Sequence, residues 1–394
     1  MRVRKIHLIS LLLSVFLMVN GVNTLAQELP VDKKISVAMD YLAGKIPYTG
    51  PPVKYTGPPI TIRFSSYVTQ GSKTVVDFME SIFKRLEEES NGKLLVKAYW
   101  SGTLHGSRDG FKAAMENITD YTHAQSGHHP GSFQLIHAMS LPFMFPDAPV
   151  ANMVYEELYP KYFKKEYEKM GVYFGGVAMT SPLRFVSKKP IRKLEDLRGV
   201  KVGSPMGGIV ADIFTSLGAV PVPMQPPELY TSFQRGVFDV FVGHDSTFCT
   251  FRAYELAKFK TIVSLAVAPL EFGLNKKTFD SLPKDLKIIF YNWFRKHGQF
   301  APQVHSLRDG EKCNIKLQES GIETIELSPE EIQRWRDATS PIIDKFIAQN
   351  EAKGLPAKQL IADMKDLTKK YSTMTWNDLM RRTIEHPIQG IMDF

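Results

Sequence analysis

From Ile60 onward the chain alternates between two hydrophobic periods. ITIRFSS (60–66) sets apolar residues at every second position, which predicts a strand. Ser72 to Ser90 spaces Val75, Val76, Met79, Ile82, Phe83 and Leu86 three and four apart, which predicts a helix. KLLVKAYW (93–100) is a second strand closed by Ser101 and Gly102, and a short helix over 108–116 leads to ITDYTHAQ (118–125). Strand, helix, strand, helix, strand is the order of a parallel sheet covered by helices on both faces. The apolar loop MSLPFMFPDAP (139–149) and a charged amphipathic helix over 152–170 complete this unit.

A second unit of the same kind begins near Met179. It reads as strand LRFVSKK (183–189), strand GVKVG (199–203), helix Gly208 to Leu217, strand AVPVPM (219–224), helix PPELYTSFQRG (226–236) and strand VFDVFVG (237–243). Val263 to Asn275 returns as strands. Helices dominate from Leu282, with a break at KGLPAKQ (353–359). Two α/β units predict two lobes, and ligands of open α/β sheets bind beyond the carboxyl ends of the strands. The cleft candidates are therefore Tyr67 and Thr69 after the first strand, and Gln125, Ser126 and His128 after the third. In the second unit they are Ser204 and Met206 around the 199–208 loop, and His244 and Asp245 after the strand ending at Val242.

The N-terminus differs from the rest. Arg2, Arg4 and Lys5 precede the apolar run Ile9 to Val19, and Thr24 and Ala26 are small residues at the positions of a cleavage site. This predicts a signal peptide over 1–26, cleaved near Ala26, and export to the periplasm. Gln27 to Pro59 repeats YTGPP twice and reads as an extended leader, since proline after glycine disfavours helix and central strand. Removing residues 1–26 takes away three basic residues and no acid, leaving +5 of the formal +8. The remaining charges are interleaved, as in KRLEEESNGK, which fits solvated helix faces and not a nucleic-acid patch. Cys249 and Cys313 are the only cysteines; export permits a bridge, but their spacing leaves the pairing open.

Catalytic and cofactor patterns are weak. Gly203, Gly207 and Gly208 miss the G-x-G-x-x-G spacing, and Pro205 removes an amide that a phosphate cradle would use. SLPK (281–284) matches S-x-x-K, but its proline more simply starts a helix. His128 and His129 are adjacent, which is not a metal-ligand spacing. No catalytic residue, metal or cofactor is expected.

The stretches SLPFMFPD, KKPIRKLEDLRGVKV, LGAVPVPMQPPELYTSFQRGVFDV and GLPAKQ resemble the extracytoplasmic solute-binding proteins of TRAP transporters, over roughly Ile60 to Tyr371. The resemblance implies a two-lobed periplasmic-binding-protein fold of type II-like α/β architecture with a long interlobe helix. It also implies closure on a small-molecule ligand and delivery to the TRAP membrane permease subunits, by a monomer with no nucleic-acid partner. The lobes would be 60–180 with 268–308, and 181–267 with 309–371 and the bridging helix, followed by a C-terminal extension over 372–394.

Three positions depart from the family pattern. Gly203 stands where an arginine usually pairs with the ligand's carboxylate, Pro226 where an aromatic is usual, and Gly243 where a polar residue ends the turn. A carboxylate in a closed cleft without replacement donors is disfavoured by several kcal/mol. Either another cation substitutes, with Arg184 the candidate, or the ligand is not a simple carboxylate; a hinge or surface salt bridge is the other role open to Arg184. The two glycines would widen the cleft for a bulkier solute. The expected function is a receptor for a small organic ligand, an organic acid in an unusual pocket. An exported enzyme or a sensory receptor on the same two lobes is the alternative.

Overall fold

The computed structural model describes residues 29–392 except 72, 205, 206, 226, 227, 387 and 389. The expected signal peptide, Met206 and Pro226 lie outside the described residues. Among the described residues, eleven strands form two sheets. The chain lays down β1 (Ile60–Ser65), β2 (Leu94–Tyr99), β3 (Tyr121–Ala124) and β4 (Tyr173–Met179), then crosses to β5 (Arg184–Ser187), β6 (Lys201–Ser204), β7 (Val220–Pro223), β8 (Val240–Gly243) and β9 (Phe259–Ile262). It returns for β10 (Pro269–Leu274) and crosses again before β11 (Glu323–Glu326). The sheet orders are β2-β1-β3-β10-β4 and β11-β9-β5-β8-β6-β7.

Most pairs are parallel, as the alternating strand and helix patterns predict, but β10 runs antiparallel to both β3 and β4, and β5 antiparallel to β8 and β9. Chain path explains this. A strand arriving from the other lobe enters its sheet at the interlobe edge, where β3 and β8 end, so it must run against them. The sequence patterns over β4 and β11 were not read as strands. YFGGVAM has no alternation because β4 is buried on both faces, and ETIE is a short edge strand with one buried residue, Ile325.

The run from Lys284 to Glu319 joins the lobes. Its first part, Lys284–Ala301, lies on β4, where Gly176 and Gly298 permit the approach: a Cβ on Gly298 would sit 2.8 Å from the Val177 carbonyl oxygen. Pro302 supplies no amide to the ladder, and the segment Pro302–Arg308 widens into a π-helical turn between the lobes. The last part, Asp309–Glu319, packs on the helix Asp245–Thr250, to which the Cys249–Cys313 disulfide ties it with Cα atoms 5.7 Å apart. Closing so long a loop is worth roughly 4 kcal/mol in the chain-entropy picture. The helix Pro329–Glu351 then packs along the second lobe, with Trp335 stacked on Phe185, and leads to Ala357–Tyr371, which lies on the first-lobe helix Ala148–Leu158.

The leader over 27–59 is not extended throughout. Pro30–Lys34 and Ser36–Leu42 are helices that bury Val31, Ile35, Val37, Ala38 and Tyr41. Asp32 pairs with Arg308 at 2.5 Å, the Val31 amide donates to Glu311, and Asn377 accepts from the Val37 amide at 3.1 Å. The helix Trp376–Glu385 of the C-terminal extension therefore clamps this segment against the π-helical turn. The short apolar spacing of PVDKKISVAMDYL carries the helices; the glycine and proline repeat acts only beyond it, where 51–59 run without helix or strand. No helix among the described residues is long and apolar enough to cross a membrane.

Candidate functional site

A cavity of about 1190 Å³ opens between the lobes, against the ends of β1, β3 and β8 and the start of β10. Tyr67, Thr69, Gln125, Ser126, His128 and His244 all line it. Gln125 donates to the Tyr67 hydroxyl at 2.7 Å, and the Tyr67 ring stacks on His123 with centroids 4.7 Å apart. From His123 the rings continue to Phe272 at 5.2 Å and on to His297 at 4.5 Å. Aromatic faces thus form much of the first-lobe wall, and Phe251 and Tyr230 face the cavity from the second lobe. Tyr230, which its helix pattern places in the core, is instead half-exposed and donates to Glu255.

The imidazoles of His123 and His297 in this wall, and of His244 on the second-lobe side of the cavity, are neutral. Burial pulls His123, His244 and His297 down to about 3, with His305 adding to the effect on His244. Tyr121 donates to the Gly175 carbonyl at 3.0 Å, and a carbonyl only accepts, so His297 Nδ1, 2.7 Å from the same hydroxyl, carries the proton. Its Nε2 is then a buried lone pair with no partner among the described residues. Glu271 is the other buried titratable group of the wall. Burial pushes its carboxyl up to about 8, opposed by hydrogen bonds from Ser126.

The remaining expected contacts do not line the cavity. Arg184 pairs with Asp245, whose other oxygen takes the Lys260 ammonium at 2.6 Å, so the candidate substitute cation sits in a buried ion cluster behind the wall. Burial lowers the Arg184 pKa, and burial with the Arg184 charge pulls Lys260 down to about 7. Ser204 is buried at the end of β6 beside Val202, Val210 and Phe214. The expected widening by Gly203 is corrected: the ring of Phe238 fills the space, 2.5 Å from where a Cβ would stand. At Gly243 a Cβ would meet Thr247 at 2.9 Å, so this glycine admits the first turn of Asp245–Thr250.

Gly203→Ala should therefore destabilise the protein by roughly 1–3 kcal/mol by overpacking. A denaturation midpoint equal to that of the wild type would show that the ring yields freely. Sequence reasoning missed His123, Glu271, Phe272 and His297. One signal was visible: Glu271 is a lone acid in the apolar strand PLEFGL, and such a residue is costly to bury without a purpose.

Two α/β lobes linked by repeated crossings of the chain, with a cavity between them, define a periplasmic-binding-protein fold. The profile of the bacterial extracellular solute-binding proteins, family 7, matches residues 64–350, and the chain belongs to that family, the solute receptors of TRAP transporters. The C4-dicarboxylate-binding periplasmic protein DctP of Vibrio cholerae is 23% identical over 302 residues, 73% of this chain and 86% of its own. A TRAP periplasmic solute-binding protein from Desulfovibrio salexigens, solved as an open complex, superposes with TM-score 0.71 at 25% identity, covering 79% of this chain and 96% of that one. A marine-metagenome TRAP solute-binding protein specific for aromatic acid ligands, solved with 3-hydroxybenzoate, gives TM-score 0.74 at 23% identity, covering 80% and 99%.

Proposed function

We propose that this chain is a non-catalytic, monomeric periplasmic receptor, exported with cleavage near Ala26. It closes its lobes on one small organic acid and passes it to the TRAP permease, with no nucleic-acid partner. The interlobe cavity of about 1190 Å³ carries the reading, because it is large, walled by aromatic rings and reached by residues of both lobes. Tyr67, Thr69, Gln125, Ser126, His128 and His244 are the proposed contacts from the original set. Contacts made to both lobes at once favour the closed state, and the π-helical turn at Pro302–Arg308 is where closure would bend the joining helix.

Arg184 is not the group that holds the acid, since its charge is taken up by Asp245; the guanidinium that lines the cavity is that of Arg252, paired with Glu255. Arg252, the neutral donors and the ring faces of the lining together supply what the family's arginine supplies elsewhere. Differential scanning fluorimetry over aromatic acids, dicarboxylates, uronates, sugars and amino acids tests the proposal. An acid that binds the native state raises the melting temperature as RT ln(1 + [L]/Kd) requires. Unchanged melting of the folded protein across the acids, or conversion of a bound solute to product, would overturn it.

A further inference from the structure

Glu271 is fully buried in β10, opposite Ala124 of β3 and Val177 of β4, neither of which offers a side-chain partner. Its Oε2 accepts from the Ser126 amide at 2.8 Å, while Oε1 is buried with no partner among the described residues, and the residue lines the interlobe cavity. The titratable groups that face it are Tyr67 after β1, Tyr155 on Ala148–Leu158, and Glu166 and Tyr167 on Lys164–Met170. None of these is a cation. Glu166 itself accepts from the Gln134, Leu135 and Ile136 amides.

We propose that Glu271 is the specificity-determining residue of this receptor: its unpartnered Oε1 donates a hydrogen bond to an oxygen of the bound solute, a carboxylate, carbonyl or hydroxyl, and refuses an ammonium. This deepens the receptor reading above and rests on it. With the carboxyl pushed up to about 8 by burial, the group holds its proton at neutral pH. Because Oε2 already accepts from an amide, the proton belongs on Oε1, which becomes a buried donor without a partner among the described residues, on a side chain that lines the cavity. An ammonium would require that carboxyl to ionise, which its burial opposes, and the imidazoles of His123, His244 and His297 around the same cavity stay neutral down to about pH 3. An unmade hydrogen bond at a buried donor is costly, so a solute lacking the oxygen is rejected.

The test has two arms on the full mature chain. In the first, infrared difference spectroscopy without ligand compares the wild type with Glu271→Gln at pH 7. A protonated-carboxyl stretch lost in the variant is expected, and its absence overturns the assignment whatever binds. In the second, calorimetry compares three matched probes, 3-hydroxybenzoate, 3-hydroxybenzyl alcohol and 3-hydroxybenzylamine. The first two should bind at least tenfold more tightly than the amine. Glu271→Gln, which keeps a donor, should stay within about threefold of wild type, and Glu271→Met, which keeps the volume, should lose at least tenfold. Preference for the amine, or equal affinity in the methionine variant, overturns the proposal. Failure of all three probes with the carboxyl stretch present counts instead against the receptor reading on which the proposal rests.

Discussion

Acidification from pH 6.5 toward 4 is expected to destabilise the protein, with three buried imidazoles by themselves contributing roughly 4 kcal/mol for each pH unit below about 5.5. The cause is the set of three neutral imidazoles. His123, His244 and His297 are held near 3 when folded and return to about 6.5 when the chain unfolds. Between those values the unfolded chain binds the protons and the folded chain does not, so stability rises with pH through the window and is lost as pH falls. Each ring contributes about 1.4 kcal/mol per pH unit there. Glu271 works in the opposite sense. Its raised pKa means that the folded state holds a proton the unfolded state has released between about 4.5 and 8, so its contribution falls as pH rises across that range. Urea midpoints measured from pH 4 to 8 check the first claim. His123→Gln or His297→Gln should each flatten the acid limb by about one proton; an unchanged slope would show that the rings titrate normally.

The second large effect is at Asp245. Its carboxylate is the shared partner of Arg184 and Lys260, all three lying between β5, β9 and the helix Asp245–Thr250. Asp245→Ala leaves the Arg184 guanidinium without its partner in a poorly solvated site and drives Lys260 toward its neutral form. Removing one partner of a buried pair costs about 3–5 kcal/mol, and here deprotonating Lys260 adds to the desolvation. Lys260→Met in the same background should recover part of that loss by removing the amine that must give up its proton. The readout is the guanidinium midpoint of the single and double variants. A loss below about 1 kcal/mol for Asp245→Ala would mean that water reaches the cluster. Solute affinity should fall as well, because His244 caps the same helix and faces the cavity.

Much of the architecture was legible in the residues. The apolar alternation of ITIRFSS and the three-four spacing over 73–89 became β1 and the helix Lys73–Glu89 with little change in bounds. Loop placement at strand ends put Tyr67, Gln125, Ser126, His128 and His244 beside the cavity. What failed did so for identifiable reasons. Arg184 occupies a strand start that the family pattern places near the ligand, but Asp245, two residues past the end of the adjacent strand β8, neutralises it. Gly203 was read as open space, yet space is decided by what packs there, and Phe238 comes from a turn thirty-five positions further along.

The sequence by itself determined two α/β units, the helices that dominate from Leu282 and the family, because periodicity and local motifs are properties of neighbouring residues. Only the tertiary structure decided that Cys249 meets Cys313, that β10 and β5 reverse direction, and that His123, Glu271 and His297 line one wall. Those outcomes depend on which distant segments exclude water from each other. Charge state follows the same rule, since a carboxyl or an imidazole acquires its shifted pKa from the surroundings the fold assembles around it.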